Sequence, residues 1–424
     1  MISVILPTYN SGKTIKRALD SIINQTYRKF EIIIVDGGST DNTLDILNSY
    51  KRERQGIILV EQGEPLGIAN GLNVGLKKAS GNYIARMDAD DYSYPERFEK
   101  QIEFLEENSE IALCGTNIRY IRDTEEWCSS FPGDSETIKA LMPFMDPLAH
   151  PTIMAKRSFF QDNMYDESAV TEDYELWLRN CLKAKYANLD EVLLDYYISN
   201  NNSSSEKKAK FYAITLRRKY IKKYFEVETS NYSDFCIMNE FGINETRNNP
   251  YTIIETLDLY KKVYAQNKKR GYCTDEALTQ ALDLLWEAAI WMYFYDNHSS
   301  IDNLRKWKNT NIEDLKVIID EKKKKIDACK NIIVYGVGNN INRFFENTNY
   351  KDLNIYFCDS NPQKQSTTIF STKIESPKEA LQKKYDLILI GPILYFDEIK
   401  KSLVELYNVS EEVIEGIDIL KYRK

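Results

Sequence analysis

Asp88-Ala89-Asp90-Asp91 places three carboxylates within four residues, directly after the short run Tyr83 to Met87. That run reads as a buried strand, with Ser80-Gly81 as the break before it. In open α/β sheets ligands bind at the carboxyl ends of such strands. Acids placed there can hold a hard divalent cation through oxygen, with water and a substrate phosphate completing the shell. The same acids could instead open the helix that follows at Pro95-Glu96-Arg97-Phe98. Two other strand ends carry chemistry. Pro7-Thr8-Tyr9-Asn10 sets an aromatic ring beside backbone that can bond a planar heterocycle. Asp36 closes the apolar run Glu31 to Val35, where a carboxylate can accept the imide N–H of uracil or thymine, or the N–H groups of guanine. Gly37 and Gly38 behind it let the backbone approach a ligand. Packing for Tyr9, and a turn or cap for Asp41, are the plainer readings. A third group of acids, Glu172, Asp173 and Glu175, follows Thr171 at the start of a helix whose apolar side is Leu176, Trp177 and Leu178. Thr171 reads as its N-cap, and acids in a first turn also complement the helix dipole.

The elements that must position these residues alternate. Ile2 to Leu6 is a strand, and Ile15, Ala18, Leu19, Ile22 and Ile23 mark one face of a helix. Glu31 to Val35 is long enough in apolar residues to be buried on both faces. Leu44, Ile46 and Leu47 mark a second helix, Ile57 to Val60 a third strand, Gly67 to Ala79 a helix and Tyr83 to Met87 a fourth strand. This spacing predicts βαβ units and a parallel sheet.

The 424 residues exceed one ordinary core, so two or three domains are expected. Net charge is −8 and the sequence pI about 5.3, which argues against nucleic acid as a partner. Seven cysteines without a Cys-x-x-Cys pair read as reduced thiols of a cytoplasmic protein. A strand beginning at residue 2 leaves no room for a signal peptide. The run Leu284 to Tyr295 contains Glu287 and is too short to span a bilayer.

Taken together, Val4-Ile5-Leu6-Pro7-Thr8-Tyr9-Asn10, Val35-Asp36-Gly37-Gly38-Ser39-Thr40-Asp41, Gly67-Ile68-Ala69-Asn70-Gly71-Leu72-Asn73-Val74-Gly75, Ala79-Ser80-Gly81 and Asp88-Ala89-Asp90-Asp91 resemble a family 2 glycosyltransferase with the GT-A fold, over roughly residues 1 to 200. The resemblance implies a nucleotide-diphospho-sugar donor, a UDP-sugar favoured, and inversion at the anomeric carbon. It implies that Tyr9 stacks on the base and Asp36 bonds it, with Pro7, Thr8, Asn10 and Gly38 in the same donor pocket. Asp88 lies near the ribose, and Asp90, with Asp88 beside it, holds Mn²⁺ or Mg²⁺ on the diphosphate. Gly67 and Asn73 belong to the helix start and donor pocket. Asp173 supplies the general base and Glu172 supports it or contacts the acceptor. His150, in Ala149-His150-Pro151-Thr152, stands either at the active-site edge or as a packed, hydrogen-bonded histidine. In one place the sequence departs from the family. Members often carry Tyr-Arg-x-His after the base helix, and here the segment is Leu193-Leu194-Asp195-Tyr196-Tyr197-Ile198-Ser199, with neither Arg nor His. Metal binding would then rest on Asp90, Asp88, phosphate and water.

The expected organisation is a GT-A domain over 1–204, a mainly helical region over 205–329 and a small Rossmann-like α/β domain over 330–424. Lys207 to Lys223 holds eight Lys/Arg and no acid, interleaved with aromatics. It reads as a solvated face over a helical core or as a peripheral contact with an anionic membrane. Trp286, Ala289, Ile290 and Tyr293 have helical spacing. Gly336-Val337-Gly338 after Ile332 to Tyr335 opens an incomplete dinucleotide fingerprint, because Ile341 stands at the third glycine. Asp359 ends the next strand and Leu387 to Gly391 is a further buried run. That module reads as a docking or assembly unit, including a homo-oligomer contact, or as a ligand site. His298 is assigned nothing. The expected activity is sugar transfer to a glycan or lipid-linked glycan acceptor for a bacterial surface polysaccharide, in the cytoplasm or peripherally at the inner face of the cell membrane. A nucleotide-sugar-binding scaffold, or an enzyme whose chemistry sits in the C-terminal module, are the alternatives.

Overall fold

The computed structural model describes residues 1–198, 203–229, 252–294, 307–336, 352–365, 367–369, 372–390 and 396–416. His298, Gly338, Ile341 and Gly391 lie outside the described residues. The chain divides into two compact units, Met1–Glu228 with Gln266–Ala281, and Thr229–Ala265 with Leu282–Lys424.

The first unit is an α/β domain of the kind expected for the GT-A fold. Its strands are β1 (Ile2–Thr8), β2 (Phe30–Asp36), β3 (Ile57–Glu61), β4 (Tyr83–Arg86), β5 (Tyr92–Ser93), β6 (Ile111–Arg122), β7 (Glu125–Cys128), β8 (Met154–Lys156) and β9 (Lys185–Tyr197). Its helices are α1 (Ile15–Ile23), α2 (Thr43–Glu53), α3 (Ile68–Lys78), α4 (Arg97–Glu107), α5 (Ser135–Leu141), α6 (Arg157–Gln161), α7 (Glu172–Asn180) and α8 (Ser203–Phe225). The strands form one sheet in the order β3-β2-β1-β4-β8-β6-β9-β5, with β7 paired to β6. From β3 to β4 all pairs are parallel, as the βαβ pattern predicts. Such a sheet is covered on both faces, which is why Ile32 to Asp36 are all buried. Ile15, Ala18, Leu19 and Ile22 bury one face of α1 at helical spacing. They join Ile2, Val4, Leu6, Ile32 and Ile34 in the main core.

Register decides which residues share an edge. Thr8 pairs with Asp36 and Ile5 with Arg86, so β1, β2 and β4 end together. Beyond β4 the direction reverses. β8 runs antiparallel to it, with Ala85 opposite Met154. The residues entering β8, the short 3₁₀ turn His150–Thr152, therefore lie beside the residues leaving β4. Arg86 N donates to Ile153 O at 2.9 Å across that junction. Buried Arg97 of α4 reinforces it, giving Nη1 to Pro151 O at 2.6 Å and Nη2 to Arg86 O at 3.2 Å.

Helix α7 is seated by buried Tyr174, Leu176, Trp177 and Leu178, and the Tyr174 hydroxyl donates to Met142 O at 2.6 Å. Helix α8 buries Ile214, Leu216, Tyr220, Ile221, Tyr224 and Phe225 and bonds Tyr224 Oη to Leu178 O at 2.7 Å. The basic stretch thus covers α7 with one face and turns Lys219, Lys222 and Lys223 outward.

In the second unit Tyr260 packs edge-on against Trp286, their centroids 6.1 Å apart. The strands β10 (Asn331–Tyr335), β11 (Asn354–Cys358), β12 (Thr368–Ile369), β13 (Thr372–Glu375), β14 (Leu387–Ile390) and β15 (Ile414–Gly416) form a second sheet, ordered β12-β13-β11-β10-β14-β15. All its pairs but β12–β13 are parallel. Asp359 follows β11 with its carboxylate committed to Asn361 N at 2.9 Å and Lys364 Nζ at 3.2 Å. Among the described residues no helix is long and apolar enough to cross a membrane.

Candidate active site

At the ends of β1 and β2 the predicted donor residues form one turn-on-turn assembly. Thr8 O accepts from Gly37 N at 2.9 Å. Asn10, at φ +50°, accepts from Thr40 N at 2.8 Å through its side chain and gives its own N–H to Ser39 Oγ at 2.9 Å. Tyr9 leaves half its surface open, and its ring lies against Gly37. Gly38 has φ +83°, and a Cβ there would stand 2.8 Å from the backbone of Gly63 and Glu64, so only glycine fits. Asp36 is fully buried behind this surface. Its Oδ2 accepts from Gly38 N at 3.0 Å and Ser39 N at 2.9 Å, and its Oδ1 from the Ser39 hydroxyl. Asp36 therefore pins the turn, and a base N–H reaching Oδ1 must compete with Ser39. Asp41 is the turn residue expected, bonded to Thr43 N at 3.0 Å. Gly67 stands at the N-cap of α3 with φ +91°.

At the end of β4, Asp88, Asp90 and Asp91 each offer a carboxylate oxygen, all within 4.8 Å of one another. Asp90 is exposed and Asp88 partly so, while Asp91 is buried. Asp91 Oδ1 accepts from Tyr197 N at 3.1 Å, and its Oδ2 is buried without a hydrogen-bond partner. Burial raises the Asp91 carboxyl well above its usual range, and the charges of Asp88 and Asp90 add to this. A bare buried carboxylate oxygen among two others costs free energy until a cation neutralises it. Three hard oxygen donors in this arrangement fit Mg²⁺ or Mn²⁺.

The second acid group meets the first through Arg86. Arg86 Nη1 is paired with Asp88 Oδ2. Burial works against the guanidinium charge, but Asp88 and then Glu172 outweigh it and hold Arg86 above its usual range. On the α7 side, His150 Nδ1 is 3.6 Å from both Glu172 Oε1 and Asp173 Oδ2. Its Nε2 is 3.0 Å from the Tyr165 hydroxyl. Burial first, and Arg86 next, push the imidazole well below its usual range, so it is neutral. Burial and the neighbouring Asp173 push Glu172 up to about 8. Asp173 is raised as well, again by burial first. Glu172 is almost closed off, whereas a quarter of the Asp173 side chain is open. Near neutral pH Glu172 is thus the better proton holder, and Asp173 the carboxylate that an incoming group can reach.

Two expectations change in detail. Thr171 occupies the N-cap of α7 but makes no capping bond, and its Oγ1 is buried without a partner. Asp173 Oδ1 takes the Tyr174 N–H at 2.7 Å, one residue on. Asn73 faces a loop of its own domain. Its Nδ2 donates to Tyr165 O at 3.0 Å and Glu167 Oε1 at 2.9 Å, and its Oδ1 accepts from Tyr165 N at 3.0 Å. With both amide hydrogens spent, Asn73 is a clamp on Tyr165, and hence on His150. In place of the missing Tyr-Arg-x-His, Asp195 holds Arg119 through two bonds of 2.9 and 2.8 Å and accepts from Tyr94 Oη at 3.0 Å.

Sequence reasoning passed over Arg86 and Tyr165, and it placed Asp91 among the strand-end acids without naming it as a metal ligand. An arginine inside a buried strand and next to three acids was the signal for Arg86. Nothing local marks Tyr165, because its partners are 92 and 15 residues away.

Comparison with known proteins gives the family. The family model for glycosyl transferase family 2 matches residues 3–163, and the C2185-like, N-terminal model matches 328–415. The O-antigen biosynthesis glycosyltransferase WbnJ of Escherichia coli is 36% identical over 209 residues, which span 47% of this chain and 80% of the relative. The amylovoran biosynthesis glycosyltransferase AmsE of Erwinia amylovora is 31% identical, over 46% of this chain and 75% of its own length. A crystal structure of S. aureus TarS 1–349 in complex with UDP aligns at TM-score 0.44 and 19% identity, covering 76% of this chain and 91% of that one.

Proposed function

The chain belongs to glycosyltransferase family 2, and on that footing we propose that it moves a sugar, with inversion, from a nucleotide-diphospho-sugar to a hydroxyl of a glycan acceptor. The observation that carries this reading is the pair of acid groups joined by Arg86, Asp88-Asp90-Asp91 on one side and Glu172-Asp173 on the other. One suits a diphosphate held through a cation, the other an alcohol losing its proton. Tyr9 offers its open ring to the base, and Asp36 accepts a base N–H in place of the Ser39 hydroxyl. A uracil or thymine imide or the N–H groups of guanine meet that requirement, and among these a UDP-sugar is taken as the favoured donor. Pro7, Thr8, Asn10 and Gly38 shape the backbone around it, and Gly67 sets the start of α3.

Asp90, with Asp88 and Asp91, would hold Mn²⁺ or Mg²⁺. Bound there, the ion would stabilise the charge that develops on the diphosphate as the sugar–phosphate bond breaks. Asp173 orients the acceptor hydroxyl and takes its proton as the oxygen attacks the anomeric carbon from the face opposite the leaving group. Glu172 keeps its own proton near neutral pH and so leaves Asp173 the charged member of the pair. Neutral His150 faces both acids without adding a positive charge that would weaken the base. Arg86 balances the remaining negative charge from the interior.

The relatives' names support a role in bacterial surface polysaccharide synthesis, and the outward lysines of α8 suit an acceptor carried on an anionic membrane at the cytoplasmic face. The deciding experiment is Asp173→Asn assayed with UDP-, GDP- and dTDP-sugars. Transfer should fall by about 10²- to 10⁴-fold, while the donor still raises the unfolding temperature. Unchanged transfer removes Asp173 as the base. Donor binding by the unaltered protein with no transfer to any acceptor points to a scaffold.

A further inference from the structure

Arg17 of α1 lies outside every motif considered so far, yet it reaches the acid triad. Its Nη2 donates to the backbone carbonyl of Asp90. Its guanidinium carbon stands 3.6 Å from the centre of the Tyr197 ring, and Tyr197 N in turn holds Asp91 Oδ1 at 3.1 Å. The guanidinium is thus fixed on one edge by Asp90 and on one face by Tyr197. Its Nε is buried without a hydrogen-bond partner.

This arrangement falls where the chain departs from the family in β9. The segment Leu193 to Ile198 supplies no cation of its own, and Tyr197 provides a flat surface for one that comes from α1 instead. Two buried guanidinium groups, Arg86 and Arg97, stand behind the three carboxylates and are closed to solvent. Neither can meet a diphosphate that arrives from outside. Arg17 places a guanidinium at the rim, where it can. Arginine suits the task because its planar, weakly hydrated fork binds phosphate oxygens through paired hydrogen bonds. Two anchors already hold it, so little side-chain entropy is lost on binding.

We propose that Arg17 is a protein-borne contact for the donor's diphosphate, acting beside the metal and independently of it. The proposal rests on the sugar-transfer reading above. Its test is calorimetric titration of the full chain with UDP, GDP and dTDP, in Mg²⁺ and in chelator, with the matching nucleosides measured by competition. Arg17→Ala, and the closer isostere Arg17→Gln, should weaken the nucleoside diphosphate by roughly 10- to 100-fold under both conditions. Nucleoside affinity should be unchanged. Arg17→Lys should recover only part of the loss, since it lacks the fork. Asp90→Asn should abolish the Mg²⁺ dependence while a further Arg17→Ala still weakens binding. Undiminished diphosphate affinity in Arg17→Gln overturns the proposal, as does equal weakening of nucleoside and diphosphate, which is the signature of a structural role. Failure of the unaltered chain to bind any of the three diphosphates overturns the donor assignment itself, and this proposal with it.

Discussion

His150 Nε2 lies 3.0 Å from the Tyr165 hydroxyl, while the other nitrogen of the same ring faces Glu172 and Asp173. The Tyr165 phenol is raised by burial, so it keeps its proton and can donate it to Nε2. That leaves the imidazole hydrogen on Nδ1, toward the two acids. At 3.6 Å this is beyond hydrogen-bond range, so the ring biases the pair by its dipole and its packing. Tyr165→Phe frees the tautomer. The expected outcome is a fall in kcat of about tenfold with donor KM unchanged, and a shifted acid limb in the pH profile. His150→Gln should cost more. Steady-state kinetics over pH 5 to 9 checks both, and a change in KM alone would contradict the assignment.

Glu172, pushed up to about 8, makes a pH prediction with a definite sign. A carboxyl raised in the folded state binds its proton more tightly there than in the unfolded chain. It costs nothing below the unfolded value near 4.5, and the folded state loses stability as pH rises from there toward about 8. Glu172→Gln removes that loss. In urea unfolding the variant should gain on the unaltered protein between pH 5 and 8, by roughly 2 to 4 kcal/mol at the upper end. Activity should fall on the alkaline side as Glu172 ionises, with apparent values that belong to the Glu172–Asp173 pair. A gap that stays constant with pH would refute this.

The buried oxygen of Asp91 links stability to metal. Asp91→Asn keeps an acceptor for Tyr197 N and removes a carboxyl that burial, Asp88 and Asp90 make costly to ionise. In chelator the variant should be no less stable than the unaltered protein, and by about 1 kcal/mol more stable. Its affinity for Mn²⁺, read by electron paramagnetic resonance titration, should drop by about tenfold or more. Unaltered Mn²⁺ affinity would mean that Asp91 is only a structural contact for Tyr197.

Asn73 separates a clamp from a donor contact. Asn73→Ala strands the buried N–H and C=O of Tyr165, and thermal or urea unfolding should show a loss of about 2 to 3 kcal/mol. Affinity for the nucleoside diphosphate should hold within about threefold while kcat falls, because the loop carrying Tyr165 loosens under His150. Lost donor affinity at full stability would return Asn73 to the donor pocket.

Much of this domain is legible in the linear chain. Alternating apolar runs and helical stripes announce the parallel β1–β4 core, and Asp36 and Asp88 to Asp91 are recognisable because each sits immediately after such a run. Glu172 and Asp173 are visible as acids opening a helix. Such features depend on neighbours within a turn or two, where side-chain periodicity follows directly from backbone geometry. The fold alone decided the rest. The reversal at β8 sets His150 beside Arg86. Packing of helices on the sheet brings Asn73 to Tyr165 across 92 residues, and Arg17 to Asp90 across 73. Whether Glu172 or Asp173 holds the proton depends on burial and on charges carried by distant strands. Electrostatic energy depends on distance and solvent exclusion, and neither exists until the chain has closed on itself.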